Sequence, residues 1–290
     1  MLGYITWDVS PYLIGGTPDA AINVRWYSLM FAIGFIVGYN MVARMFKHEG
    51  APEKWLGTLL LWLVGGTMVG ARLGHVFFYE WDHYSAHPME IFKIWEGGLA
   101  SHGGAIGVII AVCLFSYFST KRSPLWTLDR IAAPVALVSC LIRVGNLFNS
   151  EIFGPPTDLP WGFKFVNNYT WNRWFFDKPC HPTQIYEALC YLALFGLLFW
   201  LYWKKNAQAR QGLLVGIFLI GTFLSRFLIE FVKNVQVSDE VGMSLNYGQM
   251  LSIPFIIAGI ALVIYALYRP KEQLEFPNCY AEELNKKSRK

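Results

Sequence analysis

Long apolar tracts, separated by shorter polar stretches, set the pattern of this chain. They fall at about 24–43, 56–79, 98–118, 131–149, 183–203, 212–232 and 247–268. Each approaches the roughly 20 residues that a helix needs to cross a bilayer. The pattern therefore predicts an all-α integral membrane protein with seven transmembrane helices. Within the tracts, Gly66, Gly70 and Gly74 are four residues apart, as are Gly34 and Gly38, and Gly103 and Gly107. Small residues at this spacing let helix backbones approach closely in lipid, where apolar burial gives little drive for association. Two connecting segments stand out. Residues 80–96 mix apolar and polar side chains, and predict an amphipathic segment on the membrane surface. Residues 150–182, rich in Pro, Trp, Phe and Asn, are long enough to form a small cap. The expected organisation is one seven-span domain over 1–270, followed by a basic tail over 271–290.

Composition agrees. Of 290 residues, 54% are hydrophobic and only 15% are charged, against about 25% charged in soluble domains. Mean hydropathy is +0.35 over the whole chain. The formal net charge of +4 is too small for a nucleic-acid surface. The five cysteines form no CxxC pair, and are read as structural or incidental. No ligand cluster argues for a metal, and no cofactor is expected. The first apolar tract has no basic segment before it, so a cleaved signal peptide is not expected.

Lysine and arginine give the orientation. Fifteen fall on one side of the predicted spans, including Lys121, Arg122, Lys204, Lys205 and the basic tail, and six on the other. The positive-inside rule then puts the N-terminus outside and the C-terminus in the cytoplasm. The cap and the 80–96 segment become extracytoplasmic. The other three basic residues, Arg72, Arg143 and Arg226, lie inside spans.

An ionisable group within a span costs a few kcal/mol and marks a functional site by default. Here such groups share one depth, the outer leaflet. Arg143 and Asn146 lie in the outer half of span four, with Glu151 just beyond. Arg226 and Glu230 lie in the outer half of span six, four residues apart and so able to pair. Arg72 and His75 end span two. His102 opens span three among glycines. Tyr27, His181 and Gln249 begin spans one, five and seven. Guanidinium groups at that level suit an anionic headgroup, because they bind phosphate oxygens through a planar fork. A histidine suits general-base work. Each has a plainer reading too. Arg226–Glu230 can be a structural pair, Arg72 can snorkel to headgroups, and His181 with Pro182 can cap span five.

At span four the residues Arg143, Gly145, Asn146, Asn149, Glu151 and Gly154 resemble the signature Gly-Arg-x-Gly-Asn-Phe-x-Asn-x-Glu-x-x-Gly of the prolipoprotein diacylglyceryl transferases. Further motifs agree in order. They are Arg25-Trp26-Tyr27, the run from Trp95 to Gly104 that contains His102, the run from His181 to Glu187, Arg226 with Glu230, and the run from Gly248 to Pro254. The similarity covers about residues 22–270. The chain departs from the family pattern at Ile142 (glycine), Leu147 (phenylalanine), Thr222 (tyrosine) and Lys233 (a second arginine).

The resemblance implies a bacterial enzyme of the cytoplasmic (inner) membrane with its active site facing the outer leaflet. Its substrates would be phosphatidylglycerol and the lipobox cysteine of an exported prolipoprotein. The diacylglyceryl group would pass to the thiol, giving a thioether and glycerol phosphate. On this reading Arg143 and Arg226 stabilise the departing phosphate, and His102 is the base. Tyr27, Asn146, Glu151 and Gly154 shape the headgroup site, Glu230 orients Arg226, and Arg72, His181 and Gln249 also contact substrate. A lipid or anion transporter would use intramembrane arginines as well, but predicts polar residues through the whole membrane depth.

Overall fold

The computed structural model describes residues 3–16, 20, 22–167, 178–234 and 243–272. Residues 168–177 of the predicted cap, and tail residues 273–290 with Cys279, lie outside the described residues. Eight helices appear in order: α1 (Trp26–Glu49), α2 (Glu53–Phe78), α3 (Trp81–Ala86), α4 (Ser101–Phe115), α5 (Pro124–Phe148), α6 (Thr183–Lys205), α7 (Leu213–Ile229) and α8 (Tyr247–Tyr268). Among the described residues, seven helices are long and apolar enough to cross a membrane, and they correspond one to one to the seven tracts.

The all-α expectation needs one correction. Among the described residues there are four short strands: β1 (Ile5–Trp7), β2 (Tyr12–Ile14), β3 (Val24–Arg25) and β4 (Phe163–Phe165). β1 pairs in parallel with β4, and β2 pairs antiparallel with β3. Strands of two or three residues carry no readable alternation. A second correction concerns span four. Helix α5 begins at Pro124, so Asp129 and Arg130 lie within it and are buried, although Arg130 reads from the sequence as a loop residue.

The chain divides into two compact units, with the divisions falling inside α1 and α5. The first unit comprises Met1–Met41 and Asp129–Glu272. Here the carboxylate of Asp129 accepts the backbone N–H groups of Gly212 at 2.7 Å and Val215 at 2.9 Å. A side chain of α5 thus caps the start of α7, where helical N–H groups have no partners of their own. Helices α7 and α8 meet at Gly216 and Gly259. A methyl group added to either would lie 2.9 or 2.8 Å from the other's carbonyl oxygen. The loop after α5 folds into a cap with the N-terminal strand. Leu147, Phe153, Phe163, Phe165 and Cys180 form its buried cluster, with Trp7 and Ile185 packed on it. Leu147, a departure from the family signature, supplies apolar surface to that cluster. Cys180 is part of this core. Its burial pushes the thiol up to about 11, so it stays protonated and inert near neutrality.

The second unit covers Val42–Leu128. Its centre is the crossing of α2 and α4. A methyl group added at Gly70 would come within 2.7 Å of the Gly107 Cα, and one at Gly74 within 2.7 Å of the Gly103 Cα. The four-residue glycine ladders are therefore the contact line between these helices. The segment between them runs through α3 and two 3-10 turns, Pro88–Phe92 and Ile94–Glu96. Met89, Phe92 and Trp95 project outward from it. Hydrogen bonds from Lys93 and then His83 hold the Glu90 carboxyl at about 2, well below the usual carboxylate range.

Candidate active site

A cavity of about 360 Å³ opens among α1, α5, α6 and α7 of the first unit. Its lining includes Tyr27, Arg143, Asn146, Ile152, Tyr191, Thr222 and Arg226. Three of the residues expected from span four and span six, Arg143, Asn146 and Arg226, thus face one space, together with Tyr27 of span one. Gly145 makes the approach of Tyr27 possible. A methyl group there would lie 2.9 Å from the Tyr27 ring and 3.1 Å from its Cα.

The two arginines are in different electrostatic states. Arg143 is anchored. Its Nε lies 2.7 Å from Oε2 of Glu187, which is fully buried on α6. Its Nη1 donates to Asn146 Oδ1 at 3.2 Å, and Tyr191 lines the same cavity. Asn146 in turn donates to Glu151 Oε1 at 2.8 Å, and Asn149 donates to the same oxygen at 3.0 Å. Glu187 is shared, because Lys233 Nζ lies 3.5 Å from its other oxygen and 3.5 Å from Glu230. A chain of alternating charge, Arg143–Glu187–Lys233–Glu230, therefore runs behind the cavity wall. Arg226 is not part of it. Its Nε is buried and without a hydrogen-bond partner among the described residues.

The expected Arg226–Glu230 pair is thus not made. The reason lies in the helix. Regular α-helix ends at Ile229, and Glu230–Val232 forms a 3-10 turn. Glu230 still donates its backbone N–H to the Arg226 carbonyl one turn back, but its carboxylate lies against Lys233, which the 3-10 turn places three residues on. Glu187 and Lys233 are charged residues that the sequence analysis placed in family motifs without giving them a role at the site. Glu187 sits in the motif that begins at His181, but nothing in its spacing shows which arginine it meets. Lys233 reads as a loop cation.

The loop between α5 and α6 is fixed from the α6 side. Thr183 Oγ1 donates to the Ile152 carbonyl at 2.7 Å, and Gln184 Nε2 donates to the Glu151 carbonyl at 2.5 Å. These bonds hold Ile152 at φ 61°, a left-handed conformation that is costly for a β-branched residue. Strain of this kind persists where the surroundings over-determine it, and here it turns the Ile152 side chain into the cavity. Gly154 lies behind this loop. Its N–H donates to the His181 carbonyl at 2.8 Å, its own carbonyl accepts from Asn234 at 2.8 Å, and a methyl group would meet the His181 Cβ at 2.8 Å.

Other expected contact residues have their polar groups engaged. Gln249 completes a capping box with Asn246 at the start of α8, and its Nε2 lies 3.4 Å from the Phe227 carbonyl. Its role is to join α7 to α8. His181 Nδ1 lies 3.2 Å from the Tyr186 hydroxyl, which also accepts from Trp161 Nε1 at 3.0 Å.

Arg72 and His102 belong to the second unit. Arg72 neither snorkels nor presents a free fork. It is buried, and it donates to the backbone carbonyls of Ile91, Gly97, Gly98 and Glu90 at 2.8, 2.8, 3.3 and 2.6 Å. Its guanidinium also lies over the Tyr84 ring. The left-handed Gly98, at φ 68°, makes room for it, since a methyl group would fall 2.7 Å from its Nη1. Arg72 is a clamp on the segment that precedes α4. Replacing it with methionine is expected to speed amide exchange at residues 88–98 at least tenfold, with α6 to α8 unchanged, as measured by hydrogen-exchange mass spectrometry. His102 opens α4 and is exposed, with its ring 5.3 Å from Phe78 and 5.6 Å from Tyr79.

Seven apolar spans, four of which surround a cavity lined by two arginines, define a multi-pass membrane protein. Comparison with known proteins agrees. The family model "Prolipoprotein diacylglyceryl transferase" matches residues 19–265. A phosphatidylglycerol–prolipoprotein diacylglyceryl transferase of Porphyromonas gingivalis is 51% identical over 93% of this chain and 97% of its own. Proteins of the same name from Chloroherpeton thalassium and Tolumonas auensis are 44% and 45% identical, over 91% and 89% of this chain and 95% and 96% of theirs. The chain belongs to the prolipoprotein diacylglyceryl transferase family and is a transferase.

Proposed function

We propose that the cavity takes the phosphate headgroup of phosphatidylglycerol, and that its two arginines promote departure of that phosphate as the diacylglyceryl group is transferred. The activity is phosphatidylglycerol–prolipoprotein diacylglyceryl transfer. The thiolate of the lipobox cysteine attacks the glyceryl carbon that bears the phosphate. The carbon–oxygen bond breaks, its electron pair stays on the phosphate oxygen, and glycerol phosphate leaves. A thioether remains. Negative charge grows on the leaving oxygen, so fixed cations beside it lower the barrier. The observation that carries this reading is that two arginines line one cavity, one anchored on Glu187 and one whose Nε has no hydrogen-bond partner among the described residues.

Tyr27 and Asn146 line the headgroup site. Glu151 and Gly154 act behind it, one by holding Asn146 and the other by letting the loop pack. Glu230 tunes the site through Lys233, and His181 contributes through its place beside Gly154. His102 takes the thiol proton, since the thiolate is the nucleophile. The N-terminus and the cap face the outside of a bacterial cytoplasmic membrane, the basic tail faces the cytoplasm, and the site opens to the outer leaflet. The excess of lysine and arginine on the opposite side supports that orientation. The outward Met89, Phe92 and Trp95 suit a segment resting in the lipid interface. Residues 1–270 carry the activity, and 271–290 form a tail.

The direct test incubates the protein with headgroup-labelled phosphatidylglycerol and a lipobox peptide. It measures both the thioether adduct and released glycerol phosphate; release without the adduct would refute transfer. The role of His102 has its own signature. With His102→Gln, hydroxide must replace the base. Its rate is expected to climb with pH toward the thiol range near 8.5, so the deficit shrinks as pH rises. A deficit equal at all pH values would remove His102 from that role.

A further inference from the structure

Two residues of α7 that line the cavity each carry a buried polar atom without a hydrogen-bond partner among the described residues. One atom is Arg226 Nε, and the other is the hydroxyl oxygen of Thr222. They are four residues apart, so they lie one above the other on the same face of the helix. An apolar span ordinarily satisfies such a hydroxyl on the carbonyl one turn back. This chain does so at Thr58, Thr67 and Ser252, whose hydroxyls donate to the carbonyls of Lys54, Leu63 and Gly248 at 2.9, 2.6 and 2.6 Å. Ser225, on α7 itself, donates to the Thr222 carbonyl at 2.9 Å. Thr222 does not use this local solution. Among the described residues, three other buried hydroxyls, Ser116, Thr127 and Ser150, also lack partners, but of the four it is Thr222 that lines this cavity.

A buried polar group without a partner is costly, and a ligand that supplies the partner recovers that cost. We infer that the Thr222 hydroxyl is a substrate contact, donating to a phosphate oxygen that Arg226 also holds. The donors agree in kind. A hydroxyl proton and a guanidinium N–H on one helix face both require an acceptor, and a phosphate offers several oxygens close together. Arg143 approaches from α5 with part of its fork already committed to Glu187 and Asn146. Thr222 supplies on the α7 side a further donor that carries no charge. This inference rests on the phosphate reading of the cavity.

The test compares Thr222→Val, which keeps the shape and loses the hydroxyl, with Thr222→Ser, which keeps the hydroxyl. Two quantities are read: KM for phosphatidylglycerol in mixed micelles, and inhibition by free glycerol phosphate, which separates the lipid source of the phosphate from the water-soluble one. Thr222→Val is expected to raise KM and weaken the inhibition, each about tenfold, while Thr222→Ser restores most of both. If the valine variant does not fold, Thr222→Ala carries the same expectation. Normal values for the variant without a hydroxyl would overturn the inference, as would a serine variant as impaired as valine. Arg226→Gln tells the two failures apart. If it too leaves both quantities unchanged, the phosphate reading of the cavity falls. If it weakens both and Thr222→Val does not, only the role of Thr222 falls.

Discussion

Arg226→Gln should slow diacylglyceryl transfer by about 10²–10³-fold, the usual loss when a fixed donor to developing negative charge is removed. The same variant should unfold at the same temperature as the parent in detergent. The second half of this expectation follows from the geometry. Arg226 has no ion pair among the described residues, and its Nε has no hydrogen bond. Its removal therefore leaves no carboxylate stranded. The charged-but-shorter Arg226→Lys should fall between the two, because lysine keeps the charge and loses the bidentate fork. Thermal scanning beside the thioether assay checks both halves. A large drop in unfolding temperature for Arg226→Gln would show a structural dependence that the cavity geometry does not contain.

Arg143→Gln should be worse and in a different way. Transfer should be lost, and the protein should also be destabilised, because Glu187 would stay fully buried with only Lys233, 3.5 Å away, as its cation. Breaking a buried ion pair from one side costs about 3–5 kcal/mol. Removing both partners should separate the effects. An Arg143→Met, Glu187→Leu double variant is expected to regain most of the lost thermal stability while remaining inactive. If the double variant is no more stable than Arg143→Gln, the pair is not what holds this part of the protein together.

The difference between the two arginines could not be read from the chain. Both appear as isolated cations in apolar tracts, and both were legible as site residues for that reason. What distinguishes them is Glu187, 44 positions beyond Arg143, and the pairing of Glu230 with Lys233. Neither leaves a local mark in the sequence. The spans were legible because twenty apolar residues in a row have few other uses in a chain. The α2–α4 contact line was legible from glycine spacing. Arg72 and Gln249 show the limit. A polar residue near the end of a span looks the same whether its donors face a ligand or close onto backbone carbonyls, as Arg72 does on four of them. The strands were missed because runs of two or three residues, three before α1 and one in the loop after α5, hold no period.

The Asp129 cap on α7 fixes more than a helix end. Asp129 lies fourteen residues before Arg143 on α5, and Val215, which it holds, lies eleven residues before Arg226 on α7. The cap thus acts as a common origin from which both guanidinium positions are counted along two rigid rods. One extra residue between Val215 and Arg226 would swing that side chain about 100° around its axis. Chain-length variation among descendants of this gene should therefore collect in the connecting segments, and the counted stretches should keep their length even where their letters drift.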